Sequence, residues 1–163
     1  MQGGDSSRLF DWDALSPVPE ANGRVERRGR DTIAKGAASE VAAIGRLLAL
    51  GHRVAIPFVD DHGVDLVVNY RVVVQVKGRE AQQVAGMTYN FSLKRLQQPE
   101  LRRHLDVFLF HAQDIDVWWV VPRAALDELG VVSNVCLGTT YASRFRDLDR
   151  FREAWEFFDA TRI

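Results

Sequence analysis

The segment from Gly63 to Arg79, with the sequence GVDLVVNYRVVVQVKGR, constrains the fold of this chain more than any other. Residues 64–68 and 72–76 are two short runs rich in valine, a β-branched residue that favours strands. The polar residues between them are few enough to form a hairpin loop. A three-residue loop places Asp65 directly opposite Gln75, about 5 Å away, whereas a shorter loop would offset them diagonally. The segment therefore predicts a β-hairpin whose loop length decides which polar side chains face each other.

Polar side chains from the hairpin and from a preceding helix are predicted to form one site. Successive side chains of a strand alternate between its faces, so Gln75 and Lys77 share one face. Carboxylates from Glu40 and Asp65, the Gln75 amide oxygen and a strand carbonyl make an all-oxygen set, which suits Mg²⁺ or Mn²⁺ rather than zinc. Lys77 beside such an ion can orient a water nucleophile and stabilise the charge that grows on a phosphate. These residues predict a site for phosphodiester hydrolysis.

The helix that carries Glu40 is predicted to run from Thr32 to Leu50 and to end at Gly51, a residue suited to the left-handed cap. Glu40 falls at the edge of the predicted buried stripe, where a glutamate usually reaches water. The stripe has helical spacing and consists of Ala37, Val41, Ile44 and Leu48, with Leu47 beside it.

The other segments predict an α/β domain with a sheet of about five or six strands flanked by helices. The further predicted strands are residues 52–58, 87–93, 106–111 and 116–121, with a weaker one within 131–143. The further predicted helices are residues 94–104, 122–129 and 146–160. The apolar runs of 106–111 and 116–121 are nearly continuous, which favours central positions in the sheet. Residues 31–163 are predicted to form a single domain, and residues 1–30 a flexible arm.

Composition limits the cellular setting. The chain has 163 residues and 47% apolar residues, enough for one domain with a real core. One cysteine excludes an intrachain disulfide framework, and no run approaches the roughly 20 apolar residues that a membrane span requires. No signal-peptide pattern is present, so we expect a cytoplasmic protein without a membrane partner.

The order of these residues resembles the PD-(D/E)XK nuclease superfamily, in which a helix glutamate, a strand aspartate and an acid-x-lysine pair form the metal site. Lys35-Gly36 and Ser39-Glu40 are similar to the opening of archaeal Holliday junction resolvases. Gln75-Val76-Lys77 resembles the PD-(D/Q)XK variant of bacterial group I intron homing endonucleases. The resemblance implies a restriction-endonuclease-like core and a Mg²⁺-dependent DNA endonuclease of the homing or junction-resolving type. It implies that Asp65, Gln75, the Val76 carbonyl and Glu40 hold the metal and that Glu40, Asp65, Gln75 and Lys77 are catalytic.

Two departures from the family pattern leave alternatives open. Val64 replaces the usual proline before the aspartate, which is a common relaxation. Gln75 replaces an acid, and a neutral amide compensates the charge of a cation less well. A catalytically silent DNA-binding or assembly module with the same fold is therefore the alternative hypothesis. A strand with glutamine and lysine on an exposed face is also common in plain α/β interaction domains.

The charge distribution indicates DNA as the partner. The net charge is only −1, but residues 71–104 contain seven basic and two acidic residues. The predicted DNA-binding residues are Arg71, Arg79, Lys94, Arg95, Arg102 and Arg103, which would contact the phosphate backbone. Cutting both strands of a duplex requires two sites, so a homodimer or higher homo-oligomer is expected.

Overall fold

The computed structural model of this protein describes residues 25–58, 63–80, 88–93, 103–131, 133–138 and 143–161. Its helices are α1 (Val25–Ala49) and α2 (Arg123–Glu128). Its strands are β1 (Val54–Ala55), β2 (Leu66–Val68), β3 (Val72–Arg79), β4 (Thr88–Ser92), β5 (Val107–Ala112), β6 (Val117–Pro122) and β7 (Asn134–Gly138). Two 3-10 segments, Ser143–Phe151 and Trp155–Thr161, follow β7. No helix in these described ranges is long and apolar enough to cross a membrane.

Five strands form one mixed sheet in the order β1-β2-β3-β5-β6, in which only β3 and β5 run parallel. The pairing of Leu66 with Val74 and of Val68 with Val72 leaves a loop of three residues, 69–71. Asn69 and Tyr70 adopt positive φ angles of 51° and 63° to close it. The predicted three-residue loop is thereby confirmed, whereas the pairing of Asp65 with Gln75 lies beyond the last paired residues and stays a prediction. The prediction of an α/β domain with a mixed sheet flanked by helices is also confirmed.

Each face of the sheet is covered by a separate hydrophobic cluster. On one face α1 and the second 3-10 segment pack over Val72, Val74 and Val76. On the other face the β4–β7 ribbon, α2 and the first 3-10 segment pack over the aromatic residues of β5 and β6. All six residues of β5 are buried, as expected for a strand that is covered on both sides. Trp118 and Trp119 belong to these cores, with 3% and 1% of their surface exposed.

The buried face of α1 differs from the predicted stripe. Ser39, Ala43 and Leu47 are buried against the sheet, and Ile44 is half-buried, whereas Val41 and Leu48 are 68% and 54% exposed. Ala37 is also exposed. The prediction was wrong because it assumed that the largest apolar side chains face the sheet. The small residues Ser39 and Ala43 face it instead, and they allow the helix to approach the sheet closely. The helix also begins at Val25, so residues 25–30 of the predicted arm are helical.

Several other predicted elements need correction. The strand predicted for residues 52–58 is reduced to Val54–Ala55 at the sheet edge, and β6 lies at the opposite edge rather than centrally. Residues 87–93 contain β4, which pairs with β7 in a separate two-stranded sheet. The final helix predicted for 146–160 is two 3-10 segments, separated where Glu153 adopts a φ of 53°. The helix predicted for 94–104 lies mostly outside the described residues, and residues 103–104 form a turn.

The close approach of α1 to β3 depends on Gly78. A Cβ at this position would overlap Ser39 Oγ and lie 2.8 Å from Gln113 Nε2. We expect Gly78→Ala to lower the free energy of unfolding by about 1–3 kcal/mol, because overpacking forces backbone shifts. Denaturant titration measures this effect. The matched control is Gly45→Ala, at an exposed helix position with no atom within 4 Å of the added Cβ, which should stabilise by about 0.5–1 kcal/mol.

Candidate active site

An open pocket of about 430 Å³ lies between α1 and the C-terminal end of β3. Glu40 and Lys77, both half-buried, line it together with Val76. The structure therefore brings together the helix glutamate and the strand lysine that the sequence predicted. Lys35 and Glu80 form a 2.7 Å ion pair among the lining residues, which adds one charge of each sign to the same pocket.

Asp65 is attached to this region through the backbone of Val76. Its Oδ2 accepts a 2.6 Å hydrogen bond from the Val76 amide, and its own amide donates to the Val74 carbonyl at 3.0 Å. The carboxylate is half-buried just before β2 begins. The Asp65 side chain is therefore held beside Val76, the residue that precedes Lys77.

Gln75 is buried, with 1% of its surface exposed, and its two amide atoms have different environments. Nε2 donates a 2.7 Å hydrogen bond to the Gly63 carbonyl, which fixes the orientation of the amide because a carbonyl can only accept. Oε1 is buried and has no hydrogen-bond partner among the residues that the structure describes. Gly63, at a φ of 70°, leaves the space for this contact, since a Cβ there would lie 2.6 Å from Nε2.

The Gln75 oxygen is a buried donor of the kind that a divalent cation accepts, although neither Gln75 nor Asp65 lines the pocket. A buried acceptor without a partner carries a desolvation penalty of about 1–3 kcal/mol, which a ligated cation would remove. No cluster of three or more histidine, cysteine, aspartate or glutamate residues with metal-binding geometry exists in the described ranges.

Three residues near the pocket were not predicted from the sequence as site residues. Ser39, immediately before Glu40, is completely buried, and its Oγ lies 2.9 Å from both His111 Nδ1 and Gln113 Nε2. Gln113 also lines the pocket. The signal available in the sequence was the presence of two polar residues, 111 and 113, where the apolar run of β5 ends.

Burial lowers the pKa of His111 below its ordinary value of 6.5, although the nearby carboxylates of Asp116 and Glu153 oppose the shift. The unfolded chain therefore takes up this proton at higher pH than the folded protein, so stability is fully present above about pH 6.5 and is lost as the pH falls toward the folded pKa. We expect the loss to be at most about 1.4 kcal/mol per pH unit within this window. Thermal unfolding from pH 7.5 to 5 should show a smaller decrease for His111→Asn than for the wild type. Equal slopes would contradict the shift.

The predicted DNA-binding residues do not all lie near the pocket. Arg79 lines it, and Arg103 is exposed in the turn before β5. Arg71 is exposed in the hairpin loop at the other end of β3, roughly 20 Å along the strand from Lys77. Lys94, Arg95 and Arg102 lie outside the described residues.

Comparison with known proteins gives a family match and a fold match. A family model described as PD-(D/E)XK endonuclease matches residues 30–158. The solved structure of the bacterial homing endonuclease I-Ssp6803I is similar, with a TM-score of 0.64 and 24% sequence identity over 79% of this chain and 92% of that chain. The restriction-endonuclease-like fold is therefore confirmed. No curated protein matches the chain in sequence.

Proposed function

Because this chain belongs to the PD-(D/E)XK endonuclease family, we propose that it is a metal-dependent DNA endonuclease that hydrolyses phosphodiester bonds at the pocket between α1 and β3. The observation that carries the proposal is the convergence of Glu40 and Lys77 on one open pocket, next to a hairpin that holds an unsatisfied buried oxygen at Gln75. Neither feature is needed for a plain structural domain.

The proposed metal ligands are Glu40, Asp65, the Gln75 side-chain oxygen and the Val76 carbonyl. Oxygen donors of this kind suit Mg²⁺ or Mn²⁺. When bound, such an ion supplies Lewis-acid activation of water and charge neutralisation at the phosphate. Asp65 also fixes the local strand geometry through the Val76 amide, so the same side chain would both orient the backbone and bind the ion.

Lys77 is proposed to be the catalytic cation. It lies two residues beyond Gln75 on the same strand and opens onto the pocket. An ammonium group there can orient the attacking water and stabilise the negative charge that develops on the phosphate oxygens. Besides Lys77 and Glu40, the charged residues Lys35, Arg79 and Glu80 line the pocket. Arg79 is proposed to contact the DNA backbone near the scissile phosphate.

Because a homing endonuclease structure is similar to this chain, we propose the homing type of endonuclease first and the resolving type second. One pocket per chain cuts one strand, so we propose that the active species is a homodimer or higher homo-oligomer.

A cleavage assay on linear, nicked and four-way DNA tests the proposal. We expect strand scission with Mg²⁺ or Mn²⁺, and none after chelation with EDTA. A protein that binds DNA with a strong salt dependence but never cuts it with either metal would instead be the catalytically silent module. A protein with no salt-dependent DNA affinity would contradict a nucleic-acid function of any kind.

A further inference from the structure

The turn of α1 that precedes Glu40 is attached to the sheet through one buried hydroxyl group. Ser39 Oγ accepts a 2.9 Å hydrogen bond from Gln113 Nε2 and lies 2.9 Å from His111 Nδ1. The same Gln113 nitrogen donates to the Lys35 carbonyl at 2.7 Å. The Gln113 backbone amide donates a 2.8 Å hydrogen bond to the Arg79 carbonyl, at the end of β3. One helical turn is therefore held by two side chains from the end of β5.

His111 is itself fixed in one orientation and one tautomer. Its Nε2 lies 3.0 Å from Asp116 Oδ1, and its ring stacks on the Trp118 indole at a centroid distance of 3.8 Å. Trp118 Nε1 donates to the same Asp116 oxygen at 3.2 Å. A carboxylate only accepts, so Nε2 carries the proton and Nδ1 accepts from the Ser39 hydroxyl. The lowered pKa of the buried ring favours this neutral form.

This contact lies next to the proposed catalytic residues. Gly78 pairs with His111 in the β3–β5 ladder, and only the absence of a side chain at Gly78 allows Ser39 to approach β3. Ser39 directly precedes Glu40, and Gly78 directly follows Lys77. The buried contact is thus one residue away from each of the two side chains that converge on the pocket. A small rotation of α1 would therefore move the Glu40 side chain away from Lys77.

We infer that His111 is a positioning residue for Glu40, acting through the Ser39 hydroxyl, and that it tunes the affinity of the pocket for a divalent cation. The inference rests on the proposed metal-dependent function. His111 touches neither metal nor DNA in this role. It sets the helix rotation from which Glu40 reaches the pocket, in the way that outer hydrogen bonds orient ligands in metal sites.

Calorimetric titration of the full chain with Mn²⁺, without DNA, tests the inference. His111→Phe keeps the stacking on Trp118 but removes both nitrogens, and we expect Mn²⁺ to bind about tenfold more weakly. Ser39→Ala removes only the shared hydroxyl and should give a similar loss, which keeps the test informative if His111→Phe does not fold. His111→Asn retains a polar acceptor and should recover part of the affinity.

The matched control is Asn69→Gly at the opposite end of β3. Asn69 is also buried, and its Nδ2 donates to the Phe158 carbonyl at 3.2 Å and to Thr161 Oγ1 at 2.9 Å, so its loss should lower stability without reaching the pocket. Glycine tolerates the φ of 51° at this position. The inference predicts an unchanged Mn²⁺ affinity for this variant despite a lower unfolding temperature.

Two results would overturn the inference. If His111→Phe and Ser39→Ala bind Mn²⁺ as tightly as the wild type, or lose no more affinity than Asn69→Gly, the hydrogen bonds have only a structural role. If the wild type itself binds no Mn²⁺ and cuts no DNA, the proposed function fails and the positioning role fails with it. The two failures are distinguished by the behaviour of the wild type alone.

Discussion

Lys77→Ala is expected to lower Mg²⁺-dependent DNA cleavage by at least about 10²–10³-fold, the effect typical of removing one group that stabilises transition-state charge. DNA affinity, measured by gel shift in the presence of Ca²⁺, should change little, because backbone contacts from several basic side chains supply it. Lys77 lies at the pocket and is half-buried, so the substitution also removes little core packing. The unfolding temperature should therefore stay close to that of the wild type.

Two further variants sharpen this result. Lys77→Arg keeps the positive charge but replaces a compact ammonium with a planar fork, and it should restore only a small part of the activity. Arg150→Ala, at an exposed basic residue that does not line the pocket, is the matched control for lost positive charge and should cut DNA normally. Cleavage by Lys77→Ala at the wild-type rate would remove Lys77 from the mechanism.

The hairpin was predictable from the sequence because its determinants are local. Two valine-rich runs, a short polar loop and strand alternation are enough to set the pairing of Leu66 with Val74 and the shared face of Gln75 and Lys77. The register of such a hairpin follows from its loop length. The part of the site that lies within this hairpin could therefore be predicted from the sequence alone.

The orientation of α1 was not predictable in the same way because it depends on long-range contacts. Hydrophobicity favoured a stripe containing Val41 and Leu48, but both are exposed. The helix turns its small residues toward the sheet because Gly78, 39 positions after Ser39, leaves a space there. Glu40 reaches the pocket as a consequence of this rotation, and no local pattern encodes it.

The C-terminal segment illustrates a second limit. Leu148, Trp155 and Phe158 are buried and Phe151 is half-buried, yet the segment forms two 3-10 pieces and not the predicted α-helix. Spacings of three and four residues are compatible with either kind of helix. The break follows from tertiary contacts, since Glu153 accepts hydrogen bonds from the Trp118 amide at 2.7 Å and from Trp155 Nε1 at 2.8 Å.

The environment of Gln75 explains why an amide is favoured at a position where the family usually has an acid. The side chain must donate to the Gly63 carbonyl and, in the proposed site, also present an oxygen to the cation. A carboxylate can provide the oxygen but has no proton for the carbonyl. The neutral residue is therefore matched to the hairpin in this chain, and the missing negative charge does not by itself indicate a lost activity.

Gln75→Glu is accordingly expected to destabilise the metal-free protein by about 1–3 kcal/mol at neutral pH, because a buried carboxylate would then face the Gly63 carbonyl without a hydrogen bond. Added Mg²⁺ should recover much of this loss, since the extra negative charge favours the cation, and the Mg²⁺-induced rise in unfolding temperature should exceed that of the wild type. Thermal unfolding with and without Mg²⁺ measures both effects.

Gln75→Met is the matched variant, because it has a similar volume and neither amide atom. We expect it to weaken Mn²⁺ binding by about 10-fold or more and to lower cleavage in parallel, without the Mg²⁺-dependent recovery of Gln75→Glu. Wild-type Mn²⁺ affinity in Gln75→Met would exclude the Gln75 oxygen as a ligand. A metal-free Gln75→Glu protein as stable as the wild type would show instead that the Gly63 contact does not select the amide. The Mn²⁺ affinity of Gln75→Met reports on Oε1 as a ligand, and the metal-free stability of Gln75→Glu reports on Nε2 as a structural donor. The sequence motif alone does not distinguish these two roles of the same residue.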